Sequence, residues 1–385
     1  MHIMVVPSWY ANPNNKVHGS FFKEQFIALQ KSGEKISVAY NEIWPITRFG
    51  RVHEKKGLNF AIEDGLRTYR YKNYNYLPKN RNMFKIFNRR MEKLYLEIVK
   101  KEGKVDVIHA HSAFWGGISA AYVAKKYKIP FVLTEHSSLK NSVYVKDSYF
   151  KYIKEAYDNA DVLIAVGNGL KEELKHYTTN NIKVIHNLVD FSKFKVEQSE
   201  PHKGVKLFSL AYLVEGKGME ALIKAFNEAF RNQDVILRIG GDGEKKAELE
   251  ELINELGLEK QIKLLGMVPR ENVVKEINNC DGFVLASEHE TFGVVYIEAL
   301  ALGKPVLGTK NGGAEDIIRD YNGIIVENKN HEALVNGLKM FVSKINEFDK
   351  KLIIEKCMDN YKDDVIISKI KQVYNDVLNN PFSNR

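Results

Sequence analysis

Two glutamates stand eight positions apart in the segment Leu285-Ala-Ser-Glu-His-Glu-Thr-Phe-Gly-Val-Val-Tyr-Ile-Glu298. The pattern predicts a buried strand ending at Ala286, a polar turn, and a helix that starts near Gly293. Thr291, Phe292 and Gly293 would then carry the free backbone N–H groups of that helix end. Such an end attracts phosphate through its donors and its dipole, roughly half a positive charge. Glu290 falls in the turn and Glu298 more than a turn inside the helix. At ~1.5 Å rise per residue the two carboxylates are well separated along the axis. They could grip two ends of an extended ligand, and carboxylates are good acceptors for paired sugar hydroxyls. Taken alone, such a pair would be a helix cap and a solvated helix residue.

Other chemistry-bearing residues are weaker. Gly240-Gly-Asp-Gly243 lacks the full glycine spacing of a dinucleotide loop. His109 and His111 are placed on opposite faces of their strand, and no metal pair is expected from them. No Asp-x-Asp element stands out, which predicts charge stabilisation by side chains and a helix end without a metal. Cys280 and Cys357 form no spaced cluster, so neither a disulfide framework nor a zinc site is expected, and a reducing cytoplasm fits.

These residues need a scaffold. A chain of 385 residues predicts two domains. In residues 1–195, short β-branched runs alternate with helical stretches. Strands are expected at 3–6, 36–39, 105–110, 131–134, 162–166 and 182–185, with helices such as 21–30 and 113–126 between them. Continuous apolar runs suit parallel strands covered on both faces. The text turns polar at Glu197-Gln-Ser-Glu-Pro-His-Lys203, the expected domain boundary. The rhythm then restarts with strands at 205–211, 235–239, 262–265, 282–286 and 306–309. Helices are expected at 218–230, 245–255, 271–278 and 294–302. An amphipathic helix at about 365–378 closes the pattern. Two doubly wound α/β domains in tandem leave one cleft at the carboxyl ends of their strands, where such sheets bind ligands.

The segment resembles the E-x7-E motif of retaining glycosyltransferases of family 4, as Glu290-Thr-Phe-Gly-Val-Val-Tyr-Ile-Glu298 followed by Ala-Leu-Ala-Leu-Gly-Lys-Pro-Val. The resemblance extends over nearly the whole chain. It includes Val105-Asp-Val-Ile-His-Ala-His111, Thr134-Glu-His136, Glu215-Gly-Lys217-Gly218, Leu265-Gly-Met-Val-Pro269 and Gly312-Gly-Ala-Glu315. The opening Pro7-Ser-Trp-Tyr with Gly19-Ser-Phe-Phe-Lys-Glu-Gln25 is also similar. It implies the GT-B fold: two Rossmann-like doubly wound domains facing an interdomain cleft. Residues 1–195 would form the acceptor side and 203–360 the nucleotide-sugar side. Residues 361–385 would be a helix packing back on the first domain.

The same resemblance implies roles. Glu290 would hold hydroxyls of the donor sugar and Glu298 the ribose. The N–H groups of Phe292 and Gly293 would contact sugar and phosphate, with Thr291 joining the donor-binding set from the helix end. Lys217 would offset charge growing on the diphosphate, Gly19 would let the backbone approach the phosphates, and His136 would lie near the reacting sugar. Glu290, His136 and Lys217 are the expected catalytic residues. In two places the chain departs from the family pattern. Tyr212 stands where the family has Arg, so a second cation is missing from that position. Gly167 stands where Ser is usual.

The expected activity is therefore retaining sugar transfer from a nucleotide diphosphate sugar, UDP-linked in preference to GDP-linked. No cofactor and no metal are expected. Cell-surface polysaccharide or glycolipid synthesis is the expected setting, with the acceptor left open between a lipid-linked one and a soluble thiol or sugar. Alternatives are a sugar-nucleotide epimerase and a degenerate sugar-nucleotide binding module. Charge is split unevenly. Residues 1–200 carry 32 Lys and Arg against 20 Asp and Glu, and the remainder 25 against 29. The basic half suggests an anionic partner, and peripheral contact with an anionic membrane is expected in preference to nucleic acid. The run from Asn80 to Tyr95 is basic and amphipathic, with Phe84, Phe87, Met91 and Leu94 near helical spacing, and could lie on that surface. No apolar stretch reaches the roughly 20 residues of a spanning helix. The opening Met1-His-Ile-Met-Val-Val6 is read as a first buried strand in a cytoplasmic protein, not as a leader.

Overall fold

The computed structural model describes residues 1–11, 19–140, 142, 144–197 and 201–380. Residues 198–200 of the expected boundary lie outside them. The chain divides into two compact units: 1–188 with 363–385, and 189–362.

The first unit runs β1 (His2–Pro7), α1 (Ser20–Lys31), β2 (Lys35–Trp44), β3 (Gly57–Glu63), β4 (Leu66–Tyr74), α2 (Met83–Glu102), β5 (Val107–His111), α3 (Ile118–Tyr127), β6 (Phe131–Glu135), α4 (Phe150–Asp158), β7 (Val162–Ala165), α5 (Asn168–Leu174) and β8 (Ile182–Val184). Its eight strands lie in the order β3-β4-β2-β1-β5-β6-β7-β8, all parallel except β3. β1, β5 and β6 are buried at every residue, as continuous apolar strands between two helical layers must be.

The second unit runs β9 (Val205–Leu210), α6 (Met219–Phe230), β10 (Val235–Gly240), α7 (Lys246–Glu255), β11 (Ile262–Leu264), α8 (Arg270–Asn278), β12 (Gly282–Leu285), α9 (Val294–Ala301), β13 (Val306–Thr309), α10 (Ala314–Ile317), β14 (Gly323–Val326), α11 (His331–Lys344) and α12 (Lys350–Tyr361). Its six parallel strands lie in the order β11-β10-β9-β12-β13-β14. The order reverses beside β9, so the loops after β9 and β12 emerge side by side at a switch point.

A last helix, α13 (Asp363–Asn379), belongs to the first unit. Ile366, Ile370, Val373, Tyr374 and Val377 recur at helical spacing and enter one apolar cluster with Ile3, Val5, Phe22, Phe26 and Leu29. Lys371 donates to Glu34 at 2.9 Å, and the N-terminal ammonium donates to the same carboxylate at 2.7 Å. These opposite charges hold the buried Glu34 carboxyl below its ordinary range against the opposing effect of burial.

Three expectations need correction. The helix expected from residue 113 starts at Ile118, because Phe114 is not helical. His109 and His111 share one face of β5, with ring centroids 4.3 Å apart. Side chains alternate along a strand, so residues two apart point the same way. The amphipathic run at 80–95 does not offer its apolar stripe to a membrane. Met83, Phe84, Phe87, Met91 and Leu94 are buried within the first unit, and Arg90 is buried too, donating to the Tyr74 carbonyl at 2.8 Å. Arg81, Lys85, Arg89 and Lys93 remain exposed.

Candidate functional site

In the second unit two loops are built into one another. The loop after β9 ends in Gly218, which caps α6 in the left-handed region at φ 67°. A Cβ there would stand 1.8 Å from the Ala286 carbonyl oxygen. Only glycine satisfies both conditions, and it lets the loop lie against the end of β12. The Glu288 amide then donates to the Gly216 carbonyl at 2.8 Å. Lys217 is thereby carried to the turn before α9. Its Nζ donates to Glu290 Oε1 at 2.7 Å, with the two side chains 27% and 15% exposed.

The turn is itself braced. The Glu290 amide donates to the Asn311 carbonyl at 3.0 Å. Asn311 Oδ1 accepts from the Gly313 and Ala314 amides, and its Nδ2 donates to the Ser287 carbonyl at 3.3 Å. Glu315 Oε2 accepts from the Asn311 and Gly312 amides at 3.1 and 2.9 Å. So the Gly312–Glu315 segment supports the loop that carries Glu290. Phe292 is buried against Tyr361, Gly293 caps α9 at φ 91°, and Thr291 is half-buried. The arrangement sets the N-terminal ends of α6 and α9 beside one lysine and one glutamate, a combination suited to phosphate next to hydroxyls.

Glu298 is 1% exposed and takes the Arg270 guanidinium on its Oε1. Spacing along α9 does not reveal this partner, which begins α8. The Leu265-Gly-Met-Val-Pro269 segment immediately before it was the available signal. Tyr212 is 61% exposed on the loop after β9.

The first unit holds the remaining candidates. Gly19 caps α1 at φ 73°, and a Cβ there would meet the Trp9 carbonyl oxygen at 2.7 Å. His136 follows β6, 7% exposed, packed by Phe21 and Phe22. Its Nε2 lies 3.0 Å from His111 Nδ1. Burial pushes its pKa down to about 3, with the neighbouring His109 adding to the fall and Asn187 opposing it. The ring is neutral at physiological pH.

A cavity of 970 Å³ opens at the carboxyl ends of the first unit's strands. Trp9, Tyr40, Phe114, Trp115 and Tyr144 line it, among serine and asparagine side chains. Glu135 also borders it, with both oxygens occupied by the Ala113, His136 and Ser137 amides and the Tyr157 hydroxyl. Among the described residues no cluster of three or more His, Cys, Asp or Glu could hold a metal ion. Among them also, no helix is long and apolar enough to cross a membrane.

The family described as glycosyl transferases group 1 matches residues 190–355, and the one described as Glycosyltransferase Family 4 matches residues 46–193. An uncharacterized glycosyltransferase of Methanocaldococcus jannaschii is 32% identical over 281 residues, 69% of this chain and 76% of that protein. TuaC of Bacillus subtilis, named for teichuronic acid biosynthesis, is 28% identical over 358 residues, 89% of each chain. Among solved structures, Anabaena HepE in complex with UDP superposes with a TM-score of 0.74 at 17% identity, covering 98% of this chain and 100% of its own. Two parallel Rossmann-like sheets, the paired loops around Lys217 and Glu290, and these matches lead to one assignment: the chain is a glycosyltransferase of the group 1, family 4 type, with the GT-B fold.

Proposed function

We propose that this glycosyltransferase moves a sugar from a UDP-sugar to an acceptor hydroxyl with retention at the anomeric carbon. The setting is cell-surface polysaccharide or glycolipid synthesis. The meeting of Lys217 and Glu290 supports this most directly. A cation for phosphate and a carboxylate for hydroxyls stand 2.7 Å apart, beside two helix N-termini. In this reading Glu290 holds donor hydroxyls while positive charge develops at the anomeric carbon. Lys217 and the amides of Thr291, Phe292 and Gly293 take up negative charge gathering on the leaving phosphate. Glu298 accepts from the ribose hydroxyls, with Arg270 beside it. Gly19 and His136, in the first unit, keep the donor-binding roles that the family resemblance implies, and that unit's aromatic cavity takes the acceptor. No metal is required, because fixed donors supply the charge stabilisation.

The names of two similar proteins favour the finer points: UDP in the HepE complex and teichuronic acid biosynthesis for TuaC. The aromatic cavity suits an acceptor that carries an apolar or sugar-ring face, such as a lipid-linked saccharide. The exposed basic side chains of α2 suit an anionic membrane surface. A panel of sugar nucleotides in thermal shift tests the donor, since a ligand of the folded state stabilises by RT ln(1 + [L]/Kd). UDP-sugars should raise Tm above GDP-sugars. A shift with GDP-sugars alone would overturn the base assignment, and turnover of the bound donor with an acceptor separates transfer from mere binding.

A further inference from the structure

The first unit buries three imidazoles in one cluster. His109 lies against His111, and His111 is 5.3 Å from His136 with the rings 27° apart. His109 is fully engaged, with Nδ1 2.7 Å from the Tyr374 hydroxyl and Nε2 2.8 Å from the Thr134 hydroxyl. His111 Nδ1 and His136 Nε2 meet at 3.0 Å. Burial keeps both of these rings neutral, and neighbouring histidines push the same way.

Two neutral imidazoles carry two N–H groups between them. One lies in the shared bond. The other must sit on His111 Nε2 or on His136 Nδ1. Among the described residues neither nitrogen has a hydrogen-bond partner. Their surroundings differ. The His111 ring is fully buried against Phe22, Phe26 and His109, whose own nitrogens are taken. An N–H there would have no acceptor, and orphaned buried N–H groups are rarer than orphaned acceptors. His136 stands past the end of β6 and keeps 7% of its surface exposed, where a ligand oxygen can approach, whereas His111 keeps none. The free lone pair therefore belongs to His111 and the free N–H to His136.

We propose that His111 is a positioning residue that fixes His136 as its Nδ1–H tautomer, making His136 a hydrogen-bond donor to a ligand oxygen and not a proton acceptor. The lone pair on His136 Nε2 is already occupied by the His111 N–H, so the ring has no basic nitrogen to offer. The proposal rests on the placement of His136 at the donor sugar. There it would donate to a sugar hydroxyl, and deprotonation of the acceptor falls to another group.

Tautomers are read directly in long-range ¹H–¹⁵N correlation spectra of the full chain labelled at histidine, with His136 assigned by the signals lost in His136→Gln. Both His111 and His136 should show a protonated Nδ1 and a bare Nε2 at neutral pH. A protonated Nε2 on His136, or a doubly protonated ring, overturns the proposal. His111→Phe should free His136 from that pattern. It should also lower kcat/KM for the donor about tenfold, as loss of one oriented hydrogen bond does, with UDP affinity unchanged. His111→Asn, whose amide N–H can stand where Nδ1 does, should restore the His136 pattern and the rate, and it also serves if the Phe variant does not fold. Unchanged His136 shifts in both variants would show that His111 sets nothing. The wild-type spectrum needs no substrate, so a failure of the tautomer is distinguished from a failure of the functional reading. The expected spectrum with unaltered kinetics in His136→Gln would overturn the donor role.

Discussion

Lys217 Nζ donates to Glu290 Oε1 at 2.7 Å, joining two side chains 73 residues apart in the chain. A donor whose phosphates face Lys217 and whose sugar faces Glu290 must part them. Each residue is therefore committed to its partner until the ligand arrives. We expect Lys217→Ala and Glu290→Gln each to lower kcat by ~10²-fold or more, by analogy with loss of one preorganised charge-stabilising donor. The double variant should lose far less than the product of the two, because the groups act together. Steady-state kinetics of the four proteins decides. A rise in KM with kcat intact for Lys217→Ala would show that the lysine only binds.

Tyr212 offers the converse test. Its side chain is 61% exposed, so an arginine there meets no packed neighbours. If the loop after β9 lacks a second phosphate cation beside Lys217, Tyr212→Arg should tighten UDP binding by about tenfold, the worth of one charge-assisted bond. Calorimetry measures it. Weaker binding together with a lower rate would mean that another group already fills that role.

Arg270 and Glu298 should respond asymmetrically. Glu298 is buried while Arg270 is half exposed. Arg270→Ala strips a buried carboxylate of its guanidinium and should cost ~1–3 kcal/mol of stability. Glu298→Gln leaves an arginine that solvent can reach, and should cost little. In ligand binding the order inverts: Glu298→Ala should weaken UDP by ~1.5–3 kcal/mol through lost ribose bonds. Chemical denaturation and calorimetry on the same variants read both halves. Unchanged UDP affinity in Glu298→Ala would remove the ribose role.

The sheets were legible because their strands are buried on both faces and so spell continuous apolar runs. β3 and β4 were not, since β3 is an edge strand with three of its seven residues exposed, none buried, and no apolar run. The missed signal was Asp64-Gly65, both at positive φ between antiparallel strands, a two-residue hairpin turn. Lys217, Glu290 and Glu298 were candidates by motif, and the bond between the first two is observed. Arg270 and His111 were not, because their roles depend on partners 28 and 25 residues away. Spacing along one element cannot reveal such pairings.

Acid should loosen the first unit. His109 and His136 are pushed down to about 3 and His111 well below the ordinary range, all by burial. The unfolded chain binds protons at these rings below about pH 6.5 and the folded chain does not, so stability falls as pH falls. Each histidine contributes about 1.4 kcal/mol per pH unit across that window. Burial raises the Glu135 pKa, which acts in the opposite sense, adding stability as pH falls through its raised value. Three rings outweigh one carboxyl. Denaturation midpoints between pH 7 and 5 should drop in the wild type, and the slope should be shallower in His111→Phe.

Surface and buried charges of α2 should separate cleanly. Arg81→Glu, Lys85→Glu and Arg89→Glu together should preserve the fold and weaken binding to phosphatidylglycerol vesicles, most at low salt. Arg90→Glu should unfold the first unit, because it buries a new charge and loses the bond to Tyr74. Wild-type protein that ignores such vesicles at low salt would remove the membrane contact.

The return of α13 to the first unit has a consequence for how the protein is made. The first unit's apolar cluster needs Ile366, Ile370, Val373 and Tyr374, which are synthesised after the whole second unit. During translation the first sheet therefore waits, with its α1 face uncovered, until the ribosome has released the distal helix. A nonsense mutation near residue 360 would leave the second unit's own strands complete and yet strike at the domain made first.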